Sequence, residues 1–186
     1  MVNELEIGKV AAKKAGDVIR RYYKTNYEIK EKGYKNPVTT ADFEADRIIK
    51  DILMSKFPSY GWLSEETIDS QSRLSKERVW VVDPLDGTKE FIEGVPNFVV
   101  SIALVDCGIP VIGIIYNPVL EELFYAKKGN GAFLGKKKIY CFAENEMKNM
   151  TILNSRSETK KGLWIDYQNY FKELKPVGSV AYKLGL

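Results

Sequence analysis

The 186-residue chain contains no histidine. That absence removes an imidazole general base, the Ser-His-Asp arrangement and every histidine-containing zinc site. Cysteine is nearly as scarce. Cys107 and Cys141 stand far apart and outside any CxxC spacing, so neither a zinc set nor a structural disulfide has support. A reducing cytoplasm is the simplest setting for such a chain. No apolar run approaches the roughly 20 residues that span a bilayer. The opening Met-Val-Asn-Glu-Leu-Glu lacks the basic and apolar regions of a signal peptide. The expectation is a cytoplasmic protein without a membrane partner. An excess of one charge is missing too. A net charge of +3, with acids and lysines interspersed, offers no field for a nucleic acid polymer. The run Lys136–Lys138 reads as a solvated turn between strands.

What is present is globular: apolar residues make up 45% and charged residues 28% of the chain. Leu5, Ala12, Ala15, Ile19 and Tyr22 recur at helical spacing and predict an amphipathic helix over about residues 3–24. Gly33 to Pro37 breaks the pattern, with Lys35-Asn36-Pro37 as turn or extended chain. Thr39, Thr40 and Asp42 are capping candidates for a second helix, whose stripe is Ala45, Ile48, Ile49, Ile52 and Leu53 and which Pro58 ends. From Trp62 strands take over. Val79 to Val82 is a continuous apolar run expected to be covered on both faces. Phe98 to Val105, Val111 to Tyr116, Leu123 to Ala126 and Ala132 to Leu134 follow as further strands. Helices followed by consecutive strands indicate an α+β layered fold. A composition break at Ala143 to Asn149 divides a first domain, 1–142, from a second, 143–186. The second begins with a strand at Thr151-Ile152-Leu153 and contains an amphipathic stretch from Leu163 to Leu174. The mostly apolar ending, Gly178 to Leu186, reads as a helix cut short, and a unit of roughly 44 residues buries little alone. The expectation is a C-terminally truncated chain.

The segment richest in chemistry is Asp83-Pro84-Leu85-Asp86-Gly87-Thr88, directly after the apolar strand. The strand delivers Asp83 at its C-terminal end, where α/β proteins place ligands, and Pro84 is expected to stop it. A tight turn can aim Asp83 and Asp86 at one point. Gly87 lets backbone approach a ligand closely, and Thr88 adds a hydroxyl at a helix start suited to an anion. Two carboxylates repel unless cations lie between them. Hard oxygen donors select Mg²⁺ over zinc, and paired metals can hold both oxygens of a displacement. Ser64-Glu65-Glu66 is a second acidic source. Taken alone, an Asp before Pro or Gly is commonly a turn former, and Glu65-Glu66 alone would be a solvated pair. The whole string after a buried strand favours the site.

These residues closely resemble the inositol monophosphatase superfamily, which includes inositol monophosphatases, 3′(2′),5′-bisphosphate nucleotidases and some fructose-1,6-bisphosphatases. The resemblance runs through Pro37-Val38-Thr39-Thr40-Ala41-Asp42, Ser64-Glu65-Glu66, Val82 to Thr88, Gly113 to Pro118 and Gly129 to Phe133. It implies an αβαβα sandwich with an incomplete second domain, and a phosphomonoesterase using two or three Mg²⁺ ions and inhibited by Li⁺. By the same resemblance Glu65, Asp83 and the Leu85 carbonyl would hold one metal, and Asp83 and Asp86 a second. Gly87 and Thr88 would grip the phosphate, with Glu65, Leu85 and Asp86 also lining the substrate. Thr88 paired with Asp42 would help activate water, beside Glu65. The family's further metal-ligand Asp, in a downstream Trp-Asp motif, lies beyond Leu186, so the resemblance implies weak activity or none for this chain and activity for an extended one. The partner would be a small phosphorylated metabolite, and a homodimer stays open. Lys89-Glu90-Phe91 resembles the bisphosphate nucleotidases, with Lys89 either on a second phosphate or solvated, whereas Val95 to Leu104 resembles the inositol monophosphatases. The balance goes narrowly to the nucleotidase, with inositol-1-monophosphatase or fructose-1,6-bisphosphatase as alternatives. Rival classes fit less well. A haloacid-dehalogenase-type phosphatase needs aspartates two positions apart, an EF-hand needs a ligand ladder that is absent here, and an inactive metal-binding or interaction fragment is the remaining reading.

Overall fold

A computed structural model describes residues 3–33 and 36–186. The amphipathic N-terminal pattern folds as α1 (Glu4–Tyr22), started by the Asn3 side chain accepting from the Leu5 N–H. A hairpin follows, β1 (Ile29–Gly33) antiparallel to β2 (Asn36–Thr39). Asn36 and Pro37 are thus in extended chain, while Lys35 lies outside the described residues. α2 (Thr40–Lys56) starts with a capping box: the Thr39 hydroxyl accepts from the helix backbone, and Asp42 reaches back to the Thr39 N–H. Thr40, expected as a capping candidate, is instead the first helical residue.

One seven-stranded sheet carries the rest of the N-terminal part. Its strands are β3 (Gly61–Ser64), β4 (Arg78–Asp86), β5 (Val99–Asp106), β6 (Ile109–Asn117), β7 (Glu122–Lys127), β8 (Gly131–Leu134) and β9 (Lys137–Ile139), in that spatial order. β3 and β4 run parallel, and every other neighbouring pair is antiparallel. α3 (Thr88–Ile92) interrupts the run between β4 and β5. Beyond the sheet come β10 (Thr151–Ser155), α4 (Arg156–Lys160), β11 (Glu173–Val177) and α5 (Val180–Gly185), with β10 and β11 forming a separate parallel pair.

The sheet buries its two faces differently. Trp80, Val82, Val100, Ile102, Leu104, Ile112, Ile114 and Tyr116 pack on α1 and α2 through Ala12, Ala15, Ile19, Ala45, Ile49 and Leu53. On the other face Val99 and Phe124 meet Val177 and Tyr182 from the C-terminal part, with Ile115 alongside. The successive residues Ile114 and Ile115 thus serve different cores, as the period of two requires. α1 lies close enough to β6 that a Cβ on Gly16 would sit 2.5 Å from a Tyr116 ring carbon. The glycine is a contact residue of the core, which a stripe of apolar residues alone does not reveal.

Three expectations need correction. Val79 to Val82 is not covered equally on both faces: Trp80 and Val82 are buried, while Val79 and Val81 are only half-buried. Pro84 does not stop β4, which continues to Asp86 through a bulge, because a bulge is where a strand tolerates a residue without an N–H. The amphipathic stretch Leu163 to Leu174 does not bury one apolar face along a regular element. It holds a single 3-10 turn, Ile165–Tyr167, and then the start of β11, and most of its side chains are exposed. With no surface to bury an apolar face, helical spacing alone is insufficient.

Candidate metal and phosphate site

Glu65 and Asp83 are separated in sequence but neighbours in space, because β3 and β4 run in parallel. Ser64 is opposite Val82 in the ladder, and the Glu65 N–H donates to the Val82 carbonyl at 3.2 Å. Glu65, just past the end of β3, and Asp83, near the end of β4, therefore stand at the same end of the sheet, the C-terminal end where ligands gather.

Asp83 and Asp86 share a face for a second reason. Three steps along a regular strand would point them to opposite sides. Asp83 pairs with Ser101 and Asp86 with Val99, so three steps on β4 match two on β5. The extra residue resets the alternation. Both carboxylates then open on one cleft of about 220 Å³, lined also by Pro37, Glu65, Leu85, Gly87, Thr88, Lys89, Ser179 and Val180.

Gly87 turns the chain from β4 into α3 with φ 101°. A Cβ there would meet the Asn97 carbonyl oxygen at 2.8 Å. Gly87→Ala should therefore cost about 2 kcal/mol, from left-handed backbone plus a backbone clash. A fall in melting temperature of roughly 4–8 °C would express it; an unchanged melting curve would show that the turn relaxes.

Thr88 follows. Its hydroxyl lies 3.1 Å from both Asp42 Oδ1 and the Leu85 carbonyl. Asp42 is buried behind the cleft, and its other oxygen accepts the Thr39 N–H at 2.8 Å and the Thr39 hydroxyl at 2.6 Å. Burial pushes its pKa up, against those hydrogen bonds. The Asp83 carboxyl is pushed up to about 8, first by burial and then by the charges of Glu65 and Asp86. A divalent cation would relieve this crowding of carboxylates.

All the candidate donors are hard oxygens, the set that suits Mg²⁺. The carboxylates are not already closed into a cage: among the described residues, no group of three or more Asp, Glu, His or Cys side chains stands ready to hold a metal ion. Asp86 is engaged elsewhere, with one oxygen accepting from the Ser179 hydroxyl at 2.5 Å and the Ala181 N–H at 2.6 Å. On the other flank, the Lys32 ammonium lies 3.4 Å from Glu65 and 2.5 Å from Glu66. The residues fit the cation chemically, with Asp86 and Glu65 each holding an internal partner that a metal would share or displace.

Ser179 is the contributor that sequence reasoning missed. It is the N-cap of α5, accepting from the Tyr182 N–H while donating to Asp86. A Ser directly after Gly178 and before an apolar run is an N-cap signal that could have flagged it.

Comparison with known proteins bears on the family and the fold. A sequence profile described as "Inositol monophosphatase family" matches residues 3–186. Inositol monophosphatase 2 of Solanum lycopersicum is 40% identical over 146 residues, covering 77% of this chain and 55% of the relative. Inositol-1-monophosphatase of Rhizobium meliloti is 35% identical, covering 94% of this chain and 62% of the relative. Among solved structures, the extragenic suppressor protein suhB from Bartonella henselae superposes with a TM-score of 0.87 at 32% identity, covering 97% of this chain and 72% of that one. The Thermotoga maritima IMPase superposes with a TM-score of 0.85 at 28% identity, over 98% of this chain and 71% of that one. The chain thus spans a little over half the length of the curated relatives it matches.

Proposed function

Because the chain belongs to the inositol monophosphatase family, we propose that its cleft is the reaction centre of a Mg²⁺-dependent phosphomonoesterase acting on a small sugar-alcohol phosphate of the inositol type. The observation that carries this reading is the convergence of Glu65, Asp83 and Asp86 on one cleft beside Gly87 and Thr88. Glu65, Asp83, Asp86 and the Leu85 carbonyl would hold the metal. Bound Mg²⁺ supplies charge neutralisation at the phosphate and lowers the pKa of water, so no histidine is needed.

The chain's own residues supply the rest. The N–H groups of Gly87 and Thr88 would hold phosphate oxygens at the start of α3. By donating its proton to Asp42, Thr88 turns its lone pairs toward the cleft, where they can accept from a water and fix its orientation. Asp42 is itself held by two bonds from Thr39, so the Thr88 hydroxyl has a rigid acceptor.

Substrate choice rests on two observations. The curated relatives are named inositol monophosphatases, and one is a fructose-1,6-bisphosphatase/inositol-1-monophosphatase of Aquifex aeolicus. The bisphosphate nucleotidase reading rested on Lys89-Glu90-Phe91. Of these, Phe91 is core, and Glu90 is buried on Arg156 although it edges the cleft. Only Lys89 is an exposed side chain at the cleft, where a second phosphate would need it. The nucleotidase is therefore the second reading, carried by Lys89 alone. A cytoplasmic setting belongs to the same proposal, supported by two unpaired, exposed cysteines. Among the described residues no helix is long and apolar enough to cross a membrane.

The test is phosphate release from inositol 1-phosphate, 3′-phosphoadenosine 5′-phosphate and fructose 1,6-bisphosphate, with and without Mg²⁺, alongside melting curves with Mg²⁺ and inorganic phosphate. Mg²⁺-dependent release that favours inositol 1-phosphate is expected. A preference for the nucleotide would select the second reading. No release from any substrate, together with no shift in melting by Mg²⁺, would overturn both.

A further inference from the structure

We propose that Asp46 is a positioning residue that sets the Glu65 carboxylate for the cation, an inference that rests on the metal-centre reading above. α2 carries two buried carboxylates one turn apart, Asp42 and Asp46, on the same face. Asp42 reaches Thr88. Asp46 reaches the other half of the site: it accepts from the Ser64 hydroxyl through one oxygen and from the Thr67 hydroxyl, at 2.7 Å, through the other.

These two partners bracket Glu65 and Glu66. The Ser64 oxygen also accepts the Glu66 N–H at 3.3 Å, and the Glu65 N–H is bonded to β4. The backbone on both sides of Glu65 is thereby clamped, while its side chain remains half-exposed toward the cleft. A buried carboxylate costs desolvation that a purely structural clamp could avoid with neutral groups. Two hydrogen bonds donated by hydroxyls, one to each carboxyl oxygen, return fixed geometry instead. The same helix then registers both loops of the cleft to one rigid element. An outer partner of this kind typically governs metal affinity by about 10–100-fold.

The test is a double-mutant cycle read by Mg²⁺ calorimetry and by amide hydrogen exchange. Asp46→Asn should weaken Mg²⁺ binding about 10-fold and speed exchange at residues 65–67 of the metal-free chain. In a Glu65→Gln background the same change should add no further loss of Mg²⁺ affinity, while any loss of melting temperature stays equal in the two backgrounds. Thr67→Val removes one arm of the clamp without touching α2 and should produce a smaller effect in the same direction. Equal losses of affinity in both backgrounds, or unchanged exchange at 65–67, would overturn the proposal. If the parent chain binds no Mg²⁺, the metal-centre reading falls, and the exchange measurement still decides whether Asp46 holds this loop.

Discussion

Replacing Asp83 with asparagine is expected to abolish whatever Mg²⁺-dependent phosphate release the chain supports and, at the same time, to raise the melting temperature of the metal-free chain. The two effects have opposite signs because they come from the same charge. The Asp83 carboxyl sits at about 8, raised by burial and by Glu65 and Asp86, whereas in the unfolded chain it returns to about 4. Between those values the folded chain holds a proton that the unfolded chain has lost, so this group's contribution to stability falls as pH rises from about 4 to about 8. Asparagine removes that pH-dependent cost. Mg²⁺ has to expel the proton, so its stabilising shift should grow from pH 6 to pH 8.5 in the parent and vanish in the variant. Melting curves at the two pH values, with and without Mg²⁺, give the answer. A metal-free variant that melts below the parent at pH 8.5 would contradict this account.

The second large effect is expected at Arg156, which is not itself among the residues lining the cleft. Its guanidinium donates to Glu90 at 2.9 Å and to Glu93 at 2.6 Å, tying α4 to α3. The Glu90 side chain is only 12% exposed, and the backbone of Gly178 packs so tightly on it that a Cβ would lie 2.2 Å away. Arg156→Ala leaves this carboxylate without its cation and should cost about 2–3 kcal/mol, or roughly 5–10 °C in melting temperature. Adding Glu90→Gln removes the stranded charge, so the double variant should recover part of the loss. A single variant that melts with the parent would show that the C-terminal part is held without this ion pair, by its apolar contacts and the bonds of Ser179 and Ala181 to Asp86.

Much of the site could be read before any coordinates, because its logic is local. Asp83, Asp86, Gly87 and Thr88 lie within six residues, and Thr39 and Asp42 form a capping box visible as a spacing. What escaped reading depends on pairing between distant segments. The bulge that turns both aspartates to one face becomes visible only when β4 is laid against β5. The parallel pairing that brings Glu65 beside Asp83 is a choice of neighbour that no short window encodes. Ser179 meets Asp86 across 93 positions. Leu163 to Leu174 shows the opposite failure. Its spacing is helical, but without a surface to pack on, the chain settles into turns and a strand. Gly16 adds no apolar surface to the helical stripe, yet its lack of a side chain is what admits the Tyr116 ring.

The double engagement of Asp42 has a consequence for how this protein acquires its chemistry. One carboxylate both begins a helix and anchors the threonine, so secondary-structure formation and assembly of the reactive pair are a single event. A loss of rate at this position cannot be assigned to chemistry until the helix content has been measured. A chain that repairs the helix start by another cap would be well folded and still lack an anchor for its hydroxyl.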